Sequence, residues 1–124
     1  MAKHNETGAW GEEMARDHLR KNGYTVLDKN THIGHNEIDI IALKGHTIAF
    51  VEVKTRSTAF TDPLDAIDEK KIRRLARAAD SYMQAFNIRH NPQFDIITVV
   101  GTPESGFKLN HYPDAFMPPI AGAW

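Results

Sequence analysis

Cysteine is missing from this chain altogether. Its absence excludes a disulfide framework and a thiolate-bound zinc site, and it suits a reducing compartment. No apolar run approaches the ~18 residues needed to span a bilayer, and no signal-peptide hydrophobic region is present. The expectation is a soluble, cytoplasmic protein that stays off the membrane. A strong charge of either sign is lacking too: 15 Lys and Arg against 16 Asp and Glu leave a formal net charge of −1, with a pI near 6.6. A tight, general binder of phosphate is expected to be basic, so broad nucleic-acid binding is disfavoured. A local basic stripe is not, because five of the fifteen basic residues fall within Lys70–Arg77. There is no internal repeat and no linker. At 124 residues, with 41% hydrophobic and 25% charged residues, the sequence reads as one globular domain over 1–124 with a proper core. The proline-containing tail from about Met117 is expected to be irregular.

What is present begins with a pair of strands. Asn36–Leu43 and Thr47–Lys54 carry β-type apolar runs, and Lys44-Gly45-His46 between them reads as a hairpin turn. The second run starts nearly continuously apolar, the mark of a strand covered on both faces. Glu52 and Lys54 then appear two residues apart, so they share a face. Burying such charges without partners is costly, so they should pair or hold a metal. Asp39, across the hairpin, is the third member of the cluster.

Around this pair the pattern predicts a helix over Thr7–Asn22, N-capped by Asn5 or Thr7 and stopped by Gly23. Its apolar side holds Gly8, Trp10, Gly11, Met14, Ala15 and Leu19, with Glu12 at the edge of that side. Gly8 and Gly11 weaken the helix and imply close approach to another backbone. Tyr24–Leu27 is expected to be a short strand, followed by a polar loop from Asp28 to His35. Asp62-Pro63 is read as the start of a longer helix to about Phe86, with Ile72, Leu75, Ala76, Ala79, Tyr82, Met83 and Phe86 on its core side. Lys70, Arg73, Arg74 and Arg77 lie opposite, and Lys71 flanks the core stripe. Asn91-Pro92 should break the chain before a buried strand, Phe94–Val100, and Phe107–Tyr112 is expected at a sheet edge. The order α-β-β-β-α-β-β implies an α/β fold with a mixed central sheet flanked by helices.

Three acids and a lysine make the candidate catalytic set: Glu12, Asp39, Glu52 and Lys54. Carboxylate oxygens suit Mg²⁺ or Mn²⁺, and Mg²⁺ commonly keeps its waters beside one or two carboxylates and a substrate phosphate. Asp39 and Glu52 are the expected metal ligands, with the Val53 carbonyl beside them and Glu12 acting through water. Such an ion polarises a phosphodiester and acidifies a bound water. Lys54 is placed to orient that water or to stabilise the developing charge. The plainer reading of Glu-x-Lys is a solvated strand end with a weak ion pair. Thr55 and Arg56 are candidate phosphate contacts, as is the stripe of Lys70, Lys71, Arg73, Arg74 and Arg77; a surface loop and a solvated helix face are the alternatives. His32 and His35 suggest zinc, but no second clustered pair supports it. Trp10 and Phe60 are aromatic enough to stack on bases, though Trp10 sits on a core-facing side.

These residues also resemble a known pattern. Gly8, Gly11-Glu12, Ala15, Leu19, Gly23-Tyr24, Asn36-Glu37-Ile38-Asp39, Phe50 through Arg56, Lys71, Arg74-Leu75 and Phe94-Asp95-Ile96 follow the YraN-like bacterial family (UPF0102). That family is similar to archaeal Holliday-junction resolvases. The resemblance runs to Asp114-Ala115-Phe116 and implies a restriction-endonuclease-like fold with a PD-(D/E)xK nuclease motif. In it Asp39 is the acid after the turn, Glu52-x-Lys54 the second half, and Glu12 the helix-one glutamate. It further implies a DNA substrate, branched DNA included, and by analogy a homodimer. Two positions depart from the pattern, with Asn36 where the family usually has Gly and Gln93 where it usually has Arg. The reading is a Mg²⁺- or Mn²⁺-dependent endonuclease; its rivals are a non-catalytic nucleic-acid-binding module and a structural or partner-binding domain.

Overall fold

The computed structural model describes residues 2–58 and 69–116, with side chains from residue 8 onward. Helix α1 spans Ala2–Lys21, strands β1, β2 and β3 span Thr25–Ile33, Asn36–Lys44 and Thr47–Arg56, helix α2 spans Glu69–Ala85, and strands β4 and β5 span Asn91–Thr102 and Gly106–Tyr112. The strands form a five-stranded sheet in the order β1-β2-β3-β4-β5. β3 and β4 run parallel while the other neighbours are antiparallel. The sheet is therefore mixed, as the element order implies, with β3 at its centre.

Strand alternation gives each helix a face of its own. Ala49, Val51 and Val53 of β3 join Ile40, Ala42, Ile97 and Val99 under Ala15 and Leu19 of α1. Ile48 and Phe50 join Ile41 and Phe94 under Leu75, Ala76, Ala79 and Tyr82 of α2. This two-sided cover explains why the start of β3 reads as continuously apolar. Glu52 and Lys54 share the parity of Ile48 and Phe50, so they continue the α2-facing side of β3.

The helix ends follow from local chemistry. Gly23, at φ +87°, turns the chain out of α1, and Tyr24 N–H donates to the Leu19 carbonyl at 3.0 Å, the i to i−5 bond of a Schellman ending. Asn87, at φ +52°, does the same for α2, where Ile88 N–H reaches the Met83 carbonyl at 2.8 Å. Phe86 therefore lies past the helix and is 64% exposed, not in the core as the periodicity suggests.

Three expectations about elements are corrected. α1 starts at Ala2, so Asn5 and Thr7 are inside the helix rather than its caps. The expected loop from Asp28 onward is strand as far as Ile33, with the turn at residues 34–35. β1 is an edge strand with much of its surface in solvent, and its pairing slips between Val26 and Asp28, which erases the alternation a strand would show. Asn91 and Pro92 begin β4 instead of preceding it. β5 pairs with β4 only from Ile96 onward, so Pro92 costs no hydrogen bond on that side. The expected start of α2 at Asp62-Pro63, the stacking candidate Phe60 and the tail from Met117 lie outside the described residues. No helix among the described residues is long and apolar enough to cross a membrane.

Candidate active site

The β2–β3 hairpin places the first two acids. Its ladder ends by pairing Ile40 with Val51, which leaves Asp39 and Glu52 as the residues just beyond the last pair. There a side chain replaces the backbone partner: Asp39 Oδ2 accepts the Val53 N–H at 2.8 Å. The bond fixes the Asp39 carboxylate beside the third strand. In an extended strand the N–H and C=O of one residue leave on the same side. The Val53 carbonyl therefore faces the Asp39 side as well.

Glu52 is only 6% exposed, and two lysines meet one of its oxygens. Lys71 Nζ, from the first turn of α2, lies 2.6 Å from Oε1, and Lys54 Nζ lies 3.4 Å from the same atom. Glu12 arrives from α1 on the other side of the sheet, half-buried and hydrogen-bonded to Asn30 of β1. Asp39, Glu52 and Lys54 thus gather at one end of β2 and β3, while Glu12 stands apart on the α1 side and acts on Asp39 through its charge. Asn30, Glu37 and the grip of Lys71 on Glu52 complete the neighbourhood.

The carboxylates at this end repel one another. Burial, and then the Glu52 charge with smaller contributions from Glu12 and Glu37, raises the Asp39 pKa to about 7 against the opposing Val53 hydrogen bond. Burial likewise raises Glu12, partly offset by its bond to Asn30. Lys54 is lowered by burial and by the neighbouring Lys71. Lys71 is also pulled down by burial, but its bonds to Glu52 and Lys54 outweigh this and leave it raised. A divalent cation beside Asp39 would relieve both the burial of its carboxylate and its repulsion by Glu52, Glu12 and Glu37. Among the described residues no three His, Cys, Asp or Glu side chains converge as a ready-made cage. The donors therefore fit an ion that takes one or two carboxylates and keeps its waters, as Mg²⁺ and Mn²⁺ do, and not a closed zinc site.

Beside the acids opens a cavity of about 340 Å³. β2 and the turn before it line it with His35, Asn36, Glu37 and Asp39, β3 with Glu52, and α2 with Lys71, Arg74 and Leu75. The basic stripe of α2 is thereby divided. Arg74 and Lys71 line the cavity, whereas Lys70, Arg73 and Arg77 are exposed on the helix without lining it. Arg56 is exposed at the end of β3. Thr55 lies on the opposite face from Lys54 and packs against Gly11 of α1. Trp10 is half-buried and packs edge-on against Phe107, 5.2 Å between ring centroids, in the α1-side core. His32 is exposed and does not line the cavity.

Sequence reasoning missed Asn30 and Glu37, although Glu37 stands two residues before Asp39 and so has its parity. It also missed a second polar cluster on the α1 side. Asp95 of β4 is fully buried and accepts bonds from His111 Nε2 at 2.7 Å, Gln93 Nε2 at 2.9 Å and the Asp114 N–H at 2.9 Å. His111 Nδ1 in turn lies 3.2 Å from His18 Nε2. The signal was a lone aspartate inside an apolar strand.

The profile of the uncharacterised protein family UPF0102 matches residues 11–99. A UPF0102 protein of Bacteroides thetaiotaomicron is 48% identical over 122 residues, covering 97% of this chain and 99% of its own. One from Parabacteroides distasonis is 49% identical over 120 residues, covering 96% and 98%. One from Syntrophomonas wolfei is 40% identical over 114 residues, covering 90% and 97%. Among solved structures, the Holliday junction resolvase Hjc of Archaeoglobus fulgidus aligns with a TM-score of 0.45 and 15% identity, over 86% of this chain and 77% of that one. That likeness is too slight to bear on function.

Proposed function

This chain belongs to the protein family UPF0102, and from the site it carries we propose that it is a nuclease hydrolysing DNA phosphodiester bonds with the help of Mg²⁺ or Mn²⁺. The observation that supports this reading most is the meeting of Asp39, Glu52 and Lys54 at one end of adjacent strands, with Asp39 held at a pKa of about 7 by burial and the Glu52 charge. Carboxylates kept so close at an energetic cost are better explained by a ligand than by folding.

Asp39 and Glu52 would hold the cation, with the Val53 carbonyl beside them and Glu12 reaching it through water. When bound, the ion supplies Lewis-acid polarisation of a phosphate oxygen and a more acidic water. Lys54 orients the attacking water and balances the charge that builds on the phosphate. Lys71 and Arg74 meet the phosphate backbone from the cavity side, and Lys70, Arg73, Arg77 and Arg56 extend that contact outward. Thr55 is withdrawn from this set, because its side chain is spent on packing against α1. We assign the unit as one restriction-endonuclease-like domain. Branched DNA and a homodimer that cuts two strands are the substrate and assembly to test first.

Purified protein with Mn²⁺ should cleave linear, flap or four-way-junction DNA. Lys54→Ala should lower turnover by roughly 10²-fold or more while leaving DNA affinity near normal, because its charge matters most in the transition state. If wild type cleaves none of the three, a non-catalytic binding module of the same fold takes precedence, a reading that the net charge of −1 already favours.

A further inference from the structure

Glu52 faces two lysines, but it is gripped by the one outside the Glu-x-Lys motif. Lys71 Nζ lies 2.6 Å from Oε1, against 3.4 Å for Lys54. The shorter distance is that of a charge-assisted hydrogen bond; the longer one is an ion pair without a good hydrogen bond. Lys71 stands on α2, a different element from either acid, and it also lines the cavity beside Arg74. Its ammonium therefore neutralises the carboxylate that would be a metal ligand, from the side on which substrate phosphate would lie.

From this geometry we propose that Lys71 is a resident stand-in for the divalent ion: it holds Glu52 in the metal-free protein, gives it up when the ion enters, and is then released toward a phosphate in the cavity. The inference rests on the metal-dependent reading above and adds a competition to it. A divalent ion on the Glu52 carboxylate and an ammonium hydrogen-bonded to the same carboxylate would be like charges a few ångströms apart, and they repel strongly. Metal uptake thus includes breaking the Lys71–Glu52 bond. The energy is partly returned when the freed ammonium meets phosphate, which couples metal loading to DNA binding. Lys71 is in this sense a positioning residue rather than a catalytic one.

The test is Mn²⁺ titration calorimetry on wild type, Lys71→Met and Asp39→Asn, without DNA. Lys71→Met should bind Mn²⁺ about tenfold more tightly than wild type, the scale of one charge-assisted hydrogen bond. A purely structural lysine would give equal or weaker binding, and that result overturns the proposal. Asp39→Asn should bind more weakly than wild type, which reports on the metal site itself. If neither wild type nor Lys71→Met takes up Mn²⁺, the metal reading fails and this inference falls with it. Should Lys71→Met not fold, wild type still decides the matter through the nitrogen resonance of the Lys71 side chain. That resonance should shift when diamagnetic Mg²⁺ is added, and an unmoved signal in protein that binds Mg²⁺ overturns the exchange.

Discussion

Asp39 shows how much one side chain is asked to do here. Its Oδ2 closes the last position of a strand ladder, yet its burial beside Glu52 raises its pKa from 3.8 to about 7. The folded state then binds a proton that the unfolded state has lost, so in metal-free protein stability falls as pH rises. The contribution is fully present below the unfolded value and disappears as pH passes about 7. His18 acts in the opposite sense, since burial and then His111 lower its pKa and folding favours its neutral form. Melting in chelator between about pH 6 and 8 should therefore show a negative slope that Asp39→Asn removes, the amide keeping the bond to Val53 N–H. A slope unchanged in the variant would mean that Asp39 is not the titrating group. Metal affinity should run the other way and rise through the same pH range, because the ligand must be ionised.

At the scale of elements, two contacts hold the helices and the last strand where the site needs them. α1 crosses β3 at Gly11, where an added Cβ would collide with Thr55 Oγ1 and come within 2.9 Å of its Cβ. Gly11→Ala gains some helix propensity but must push α1 off the sheet, a net loss of about 1–3 kcal/mol. Denaturant unfolding should show that loss, and Thr55→Ala, which removes the offending hydroxyl, should recover part of it in the double variant. Since Glu12 is the next residue, the same shift should also weaken its bond to Asn30. On the same side of the sheet, buried Asp95 ties β4 to His111 of β5 and to the turn at Asp114. Replacing it with alanine strands three donors, and the unfolding free energy should drop by about 3 kcal/mol or more. A smaller loss, under about 1 kcal/mol, would show that water satisfies those groups.

For the molecule as a whole the balance of charge decides how it meets DNA. With a net charge of −1, long-range attraction is weak, and binding has to come from the local cluster on α2 and the cavity rim. Arg74 and Arg77 are both exposed there. Replacing the two with alanine should weaken binding evenly across sequences and reduce the salt dependence by about one unit of slope per lost phosphate contact. Binding measured against salt concentration checks this, and an unchanged slope would return the stripe to the status of a solvated helix face.

The sequence by itself determined the parts whose physics is local. Alternation and apolar runs marked β2 and β3, the Lys44-Gly45-His46 turn joined them, and parity put Glu52 and Lys54 on one face. The seven-element order followed from the same local signals, with the edge strand β1 cut short because its bulge and polar face hide the alternation. Tertiary structure decided what depends on elements far apart in the chain. It brought Lys71 onto Glu52 across 18 intervening residues. It set Glu12 beside Asn30, turned Thr55 under α1, left Phe86 in solvent and buried Asp95 with two histidines. No periodicity carries such pairings, because they depend on how the helices sit on the sheet rather than on any run of residues. The Asp39 pKa belongs with them, since it comes from charges and burial that exist only once β2, β3 and α1 have met.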